Sequence, residues 1–246
     1  MKAMHKLLVM SATYRQSSRI TPQLFEKDDQ NKLYARGPRF RMDAEMIRDN
    51  ALAAAGLLSL KQGGPSVRPY QPPGLWESKV GGEAITYVIS EGEDRYRRGL
   101  YVVLKRTSPY PSFINFDATA RNACIIKRSR SNTPLQALTL LNDPVYVEAA
   151  TALARRIVTE KPTGKTEDRI RHAFLVCVVR TPSAKEINAI GQLFRDQWAA
   201  AQADPESARK LIGDCAVPEG MTAEEFCAWQ AVAWALLNLD ETITKG

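Results

Sequence analysis

The sequence predicts a mainly α-helical fold: a helical bundle with a small antiparallel β hairpin and long Gly/Pro-rich loops. Three observations carry this. Thr133-Pro134, Asp143-Pro144 and Thr181-Pro182 each place a capping side chain before a proline, the arrangement that opens a helix. Apolar residues then recur at helical spacing through most of the chain beyond Thr133. Glycine and proline crowd residues 59–82, including Gly63-Gly-Pro65 and Gln71-Pro-Pro-Gly74, where neither a helix nor a central strand continues.

From the start, Met1–Met10 reads as the end of a helix, because Met4, Leu7 and Leu8 form an apolar stripe with nothing before them to cap it. The expectation is a piece of a longer gene product. Thr13–Gly37 is polar and irregular. Met42–Leu58 predicts an amphipathic helix with Met46, Ile47, Ala51, Ala54, Leu57 and Leu58 on its buried face. Asp43, Glu45, Arg48 and Asp49 fall mainly off that face, where Arg41, Glu45 and Arg48 are spaced to pair with one another. Beyond the Gly/Pro loop, Glu83–Ser90 and Gly99–Thr107 are β-branched and aromatic, which predicts the two strands of the hairpin.

The helices expected next are a short one from Pro134 to Leu141 and a longer one from Pro144 to Thr159. Another opens at Thr166, with Ile170, Ala173, Phe174 and Cys177 at core spacing, and a further one follows Thr181-Pro182, with Ile187, Ile190, Phe194 and Trp198. The last runs from about Ala223 to Leu239 on Phe226, Trp229, Ala233 and Leu236. Residues 1–132 thus form a basic part with helix, loop and hairpin, and residues 133–246 a helical part, together one continuous domain.

Length and a 44% hydrophobic content suffice for a sizeable core, which argues against a disordered chain. No stretch approaches the roughly 18 apolar residues that span a bilayer. The charge is uneven: residues 1–136 hold 22 Lys+Arg against 12 Asp+Glu, whereas residues 137–246 hold 12 against 15. The basic excess suits an anionic partner, but the arginines are spread rather than packed into a run, which disfavours a nucleic-acid footprint.

Several chemistries find no support. The four cysteines, Cys124, Cys177, Cys215 and Cys227, show neither Cys-x-x-Cys nor a haem-attachment pattern, so neither metal nor cofactor is expected in this chain. Cys177 reads as a buried hydrophobe, and Cys215 and Cys227 as a pair only in an oxidising compartment. Thr163-Gly-Lys-Thr166 repeats the end of a phosphate loop, but position 159 is threonine where the first glycine belongs, a helix precedes it, and Pro162 removes a backbone donor. With only His5 and His172 present, His172 reads as a partly buried structural imidazole, and no catalytic residue is assigned.

The arginines of the irregular segments are the best candidates for function, since guanidinium groups suit bidentate capture of carboxylate, sulfate or phosphate. Arg39, Arg97, Arg106, Arg121 and Lys127 belong to this group, and the candidate anion- or ligand-binding residues within it are Tyr14, Arg15, Arg41, Arg98, Asp117, Arg128 and Arg130. The competing reading is that these arginines pair with Asp43, Asp49, Asp94 and Asp117 to hold loops that have too little apolar surface to pack. A rival from another class is a glycan hydrolase built on Asp43, Glu45 and Asp117, which requires two carboxylates facing one cleft.

A set of segments in order carries a resemblance: Ser11-Ala-Thr-Tyr-Arg-Gln-Ser-Ser18, Arg41-Met-Asp-Ala-Glu-Met-Ile-Arg-Asp49, Tyr96-Arg-Arg-Gly-Leu-Tyr101, Phe116-Asp117, Thr133-Pro-Leu-Gln-Ala-Leu-Thr-Leu-Leu-Asn142 and Leu236-Leu-Asn-Leu-Asp-Glu241. Over nearly its whole length the chain resembles a planctomycete-type C-terminal domain of unknown function found in cytochrome c-associated multi-domain proteins. The resemblance implies upstream cytochrome c-like and associated domains as partners in a parent polypeptide, and a cell-envelope or periplasmic setting. With the arginines, it supports a non-catalytic structural or anionic-ligand module, with an acidic polysaccharide as the ligand.

Overall fold

The computed structural model describes residues 1–76, 86–161 and 163–246. Among them are eleven α-helices, two short 3-10 turns and one two-stranded antiparallel sheet, so the chain is mainly α. Contacts divide it into two units, one of residues 1–42 with 243–246 and one of residues 43–242.

The larger unit is organised around α10 (Ala223–Leu237), whose Phe226, Ala228, Trp229, Val232, Ala233 and Leu236 are wholly buried. Apolar residues occupy more than one face of this helix, so it packs inside a ring of partners rather than on a surface. Those partners include α6 (Pro144–Glu160), α7 (Thr166–Val178), α8 (Ala184–Ala203) and α9 (Pro205–Ile212). On α6 the inward stripe is Tyr146, Ala149, Ala150, Leu153, Ala154 and Ile157, whose alanines let neighbouring backbones approach closely. Phe194 of α8 meets Trp229 with ring centroids 4.6 Å apart.

Several helix starts obey the chemistry of their capping residues, but Thr133, at the N-cap of the helix that begins at Pro134, makes no side-chain cap hydrogen bond. The Asp143 carboxylate accepts from the Val145 N–H (3.0 Å) with Pro144 next in the chain. Ser183 and Glu186 form a reciprocal box in which the Ser183 N–H donates to the Glu186 carboxylate at 2.7 Å. Thr222 caps α10 through the Glu225 N–H (3.2 Å). The Thr181-Pro182 start is therefore displaced slightly, because Ser183 takes the capping role and the helix begins at Ala184. Residues 161 and 163–165 form the turn between α6 and α7; Pro162, invoked against a phosphate loop, lies outside the described residues.

Helix α3 (Ala44–Ala54) lies against α6, and Arg156 of α6 donates to the Ala53 and Ala54 carbonyls (3.2 and 2.9 Å), satisfying acceptors that a helix end leaves open. Two expectations for α3 are corrected. Arg48 is only 1% exposed and shares the buried face with Ala44, Ile47 and Ala51, while Met46 is 44% exposed. The charge is tolerated there because the guanidinium donates to the Arg97 carbonyl (2.6 Å) and the Arg95 carbonyl (2.7 Å).

The small antiparallel pair is present, but at a different place. Its strands are β1 (Phe40–Arg41) and β2 (Thr244–Lys245), in the smaller unit. Of the hairpin expected at 83–107, Glu83–Ile85 lie outside the described residues, and residues 86–90 form no strand, the Ser90 N–H donating to the Arg68 carbonyl at 2.9 Å. Residues 92–96 and 99–101 form the 3-10 turns, and the chain around them runs parallel to the Gly/Pro loop instead, through bridges Ser59–Arg97 and Val67–Val102. The cause is Arg97. Fully buried, it donates to the Pro65 carbonyl at 3.1 Å and to the Gly63 carbonyl, and stacks 3.8 Å from the centroid of Tyr101. A guanidinium thus supplies the order that this loop has too few apolar side chains to create.

The smaller unit holds α1 (Lys2–Met10), α2 (Pro22–Lys27) and the strand pair. No residue of α1 is buried. Arg36 repeats the stapling device, donating to the Asp28 and Asp29 carbonyls at 2.7 and 2.5 Å. The four cysteines are free thiols, and burial pushes the Cys177 thiol up to about 12. His172 Nε2 lies 2.6 Å from the Glu160 carboxylate, a side-chain contact that fits its structural reading. Among the described residues, no helix is long and apolar enough to cross a membrane.

Candidate functional site: a basic basin on a closed loop

The site grows from the segment after α4 (Pro111–Asn115). Phe116 ends that helix, and Asp117 takes a left-handed conformation (φ 61°) that turns the chain out of it. Its carboxylate then accepts from the Ser131 N–H (2.7 Å) and from the Ser131 hydroxyl (2.8 and 2.9 Å). Residues 118–130 are therefore closed at the neck by one aspartate and one serine. From α5 (Pro134–Asn142), Gln136 donates to the same hydroxyl at 3.1 Å, anchoring the neck to the helical bundle.

A second tie crosses to α3. Arg128 donates to both carboxylate oxygens of Glu45, at 2.6 and 3.0 Å, with both side chains about a quarter exposed. Burial pushes the Glu45 carboxyl up, but the Arg128 hydrogen bonds and the nearby Arg128 and Arg121 charges outweigh it and hold the group below its usual range. Arg128 is correspondingly raised, chiefly by the same hydrogen bond. Both groups stay charged at neutral pH.

The loop fixed in this way lines an open basin of about 780 Å³. Arg106, Arg121, Lys127, Arg128 and Arg130 face it against one acidic residue, Asp43, so its lining carries a clear positive excess. Adjoining it is a smaller crevice of about 300 Å³ that shares Thr119, Arg121 and Arg128 with the basin and is lined also by Glu45, Ser66, Tyr110 and Val102–Leu104. Its floor depends on a close approach: a Cβ at Gly99 would stand 2.9 Å from Glu45 backbone atoms.

The seven candidate residues divide between the two units. Arg128 and Arg130 line the basin and Asp117 closes its neck. Arg98 pairs instead with Asp49 (3.2 Å), whose other oxygen accepts from the Gly99 N–H at 2.6 Å. Tyr14, Arg15 and Arg41 belong to the smaller unit; the Lys245 ammonium lies 5.5 Å from the Tyr14 ring centroid, and Arg41 sits in β1 opposite Thr244. The loop-holding role is realised by Arg36, Arg48, Arg97 and Arg98, and Asp94 lies 3.6 Å from Lys61. Of the residues expected to pair along α3, Glu45 is held by Arg128, and Arg48 is drawn inward.

Of the carboxylates considered for hydrolysis, Glu45 is closed by Arg128 and Asp117 by Ser131; Asp43 alone lines the basin. No group of His, Cys, Asp and Glu able to hold a metal ion occurs among the described residues. The crevice escaped sequence reasoning, since Val102–Leu104 read as strand and nothing in them signals a cavity.

Among known proteins, the family model described as PSD1, protein of unknown function (DUF1553), matches residues 1–194. No curated protein and no solved structure matches the chain.

Proposed function

The chain belongs to the PSD1 family of proteins of unknown function (DUF1553), and from that premise we propose that it is a non-catalytic structural module that binds an anionic polymer, an acidic or sulfated polysaccharide, at the basin. The parent assembly in this reading contains the cytochrome c-like and associated domains of planctomycete envelope proteins, as the sequence resemblance implies.

The observation that supports the binding half is the concentration of Arg106, Arg121, Lys127, Arg128 and Arg130 around one open concavity whose loop is tied down at Asp117 and at Glu45. Tied cations lose less freedom on binding than cations on a free loop, so more of the attraction appears as affinity. An open basin suits an extended polymer better than an enclosed small molecule. The non-catalytic half is supported by the engagement of Glu45 by Arg128 and of Asp117 by Ser131, which ties up two of the three carboxyls that acid–base chemistry would need.

The test is binding of heparin and of a polyuronate to the full chain at low and at high salt. Binding should be strong at low salt and weaken as salt screens the charges, and Arg121→Gln with Lys127→Gln should weaken it further without changing the fold. Absence of binding to either polymer at either salt concentration overturns the proposal.

A further inference from the structure

Along the closed loop, Arg121-Asn-Ala-Cys-Ile-Ile-Lys127 sets a short apolar run between two cations, and every residue of it is exposed. Ile125 is 53% exposed and Ile126 wholly so, and both line the basin together with Arg121 and Lys127. A single exposed apolar side chain is ordinary on a protein surface, but an adjacent pair on a fixed loop is a patch. The ties at Asp117–Ser131 and Arg128–Glu45 bracket the run, so the isoleucines are held at the surface beside the charges. A hydrophilic polyanion satisfies those cations and leaves the isoleucines in water. A second copy of the chain would bring the same positive excess against them. A bilayer with anionic headgroups matches both features: headgroup charge meets the cations, shallow insertion buries the isoleucines, and a fluid surface demands no matching outline from so small a patch.

We infer that the stretch from Arg121 to Lys127 is a docking site for an anionic lipid surface, with Ile125 and Ile126 entering the boundary between headgroups and acyl chains and with Arg106, Arg121 and Lys127 lying over the headgroups. The inference rests on reading the basin as an anion site and adds a second anionic surface for the same cations, so polymer and bilayer compete. Two isoleucines are a weak apolar anchor, and a few exposed cations are screened by salt; the two contributions act together.

Cosedimentation of the full chain with vesicles of mixed phosphatidylcholine and phosphatidylglycerol, and with vesicles of phosphatidylcholine alone, tests the inference. The chain should pellet with the mixed vesicles at low salt and not with the neutral ones, and added heparin should release it. Ile125→Ser with Ile126→Ser, at exposed positions, should lower vesicle affinity on the order of tenfold and leave heparin binding unchanged. Ile126→Trp should raise vesicle affinity, because an indole favours the membrane interface. Failure to pellet with the mixed vesicles, or an affinity that the double variant leaves unchanged, overturns the inference. So does self-association of the chain that the double variant abolishes, since a second copy then occupies the patch. Heparin binding without vesicle binding refutes the lipid surface alone, whereas failure of both refutes the anion site beneath it.

Discussion

Replacing Arg97 with methionine keeps the length of the side chain and removes its charge and donors. The loss comprises hydrogen bonds to the Pro65, Gly63 and Lys61 carbonyls, the last at 3.4 Å, together with stacking on Tyr101. A hydrogen bond from a charged donor contributes about 1.5–3 kcal/mol and a desolvated cation–π contact about 2 kcal/mol. Two effects reduce the sum. Residues 61–66 are exposed, so their freed carbonyls regain water, and methionine relieves the cost of burying a guanidinium. The expected net loss is about 2–4 kcal/mol. All four tryptophans lie in the larger unit, so urea unfolding followed by their fluorescence reports on it. With a urea dependence of about 2 kcal/mol per M, the midpoint should fall by roughly 1–2 M. Hydrogen exchange adds location: the Ser59 and Val67 amides, bonded to the Tyr96 and Tyr101 carbonyls, should lose protection before those of α10. Arg97→Lys should recover little, because an ammonium lacks the fork that reaches several carbonyls together. If Arg97→Met leaves the midpoint and both amides unchanged, the idea that buried guanidinium groups organise the Gly/Pro loop is wrong.

Glu186 makes the clearest acid-side prediction. Hydrogen bonds from Arg180, then from Ser183, hold its carboxyl at about 2 rather than the ordinary 4.5. Because the folded form binds the proton less readily than the unfolded one, the stabilisation is present above pH 4.5 and drains away as pH falls toward 2. A Glu186→Gln variant should be less stable at neutral pH and show a flatter stability profile across that window; parallel profiles would refute the assignment. In the core, Trp229→Ala should cost about 3–5 kcal/mol by far-UV circular dichroism melts, because the ring is fully buried against Phe194. A cost below about 1 kcal/mol would show that the bundle closes over the gap.

What the sequence disclosed and what it hid divide along the range of the interactions involved. Asp143-Pro144 and the stripe ending at Ile157 are local signals, and the helix from Pro144 to Glu160 follows from them. The stripe Phe226, Trp229, Ala233 and Leu236 is equally local, and all four residues are buried. The short helices α2, α4 and α9 went unread because five to eight residues give periodicity too little length to show. Arg48 read as lying off the buried face and Arg97 as one of the loop arginines, and only carbonyls some 32–49 residues away in the chain make their burial tolerable. The basin behaves likewise. Arg128 stands out in the sequence as part of a basic strip, but its partner Glu45 lies 83 residues earlier, and no local pattern announces that pair.

The pairing of Phe40–Arg41 with Thr244–Lys245 has a consequence for biosynthesis. A ribosome must make everything from Asp43 to Thr242 before the second strand exists, so the first waits unpaired while the whole larger unit emerges. Because α10, on which the bundle packs, ends only at Leu237, bundle and β pair are completed close together, and the β pair is a step that truncated nascent chains cannot take.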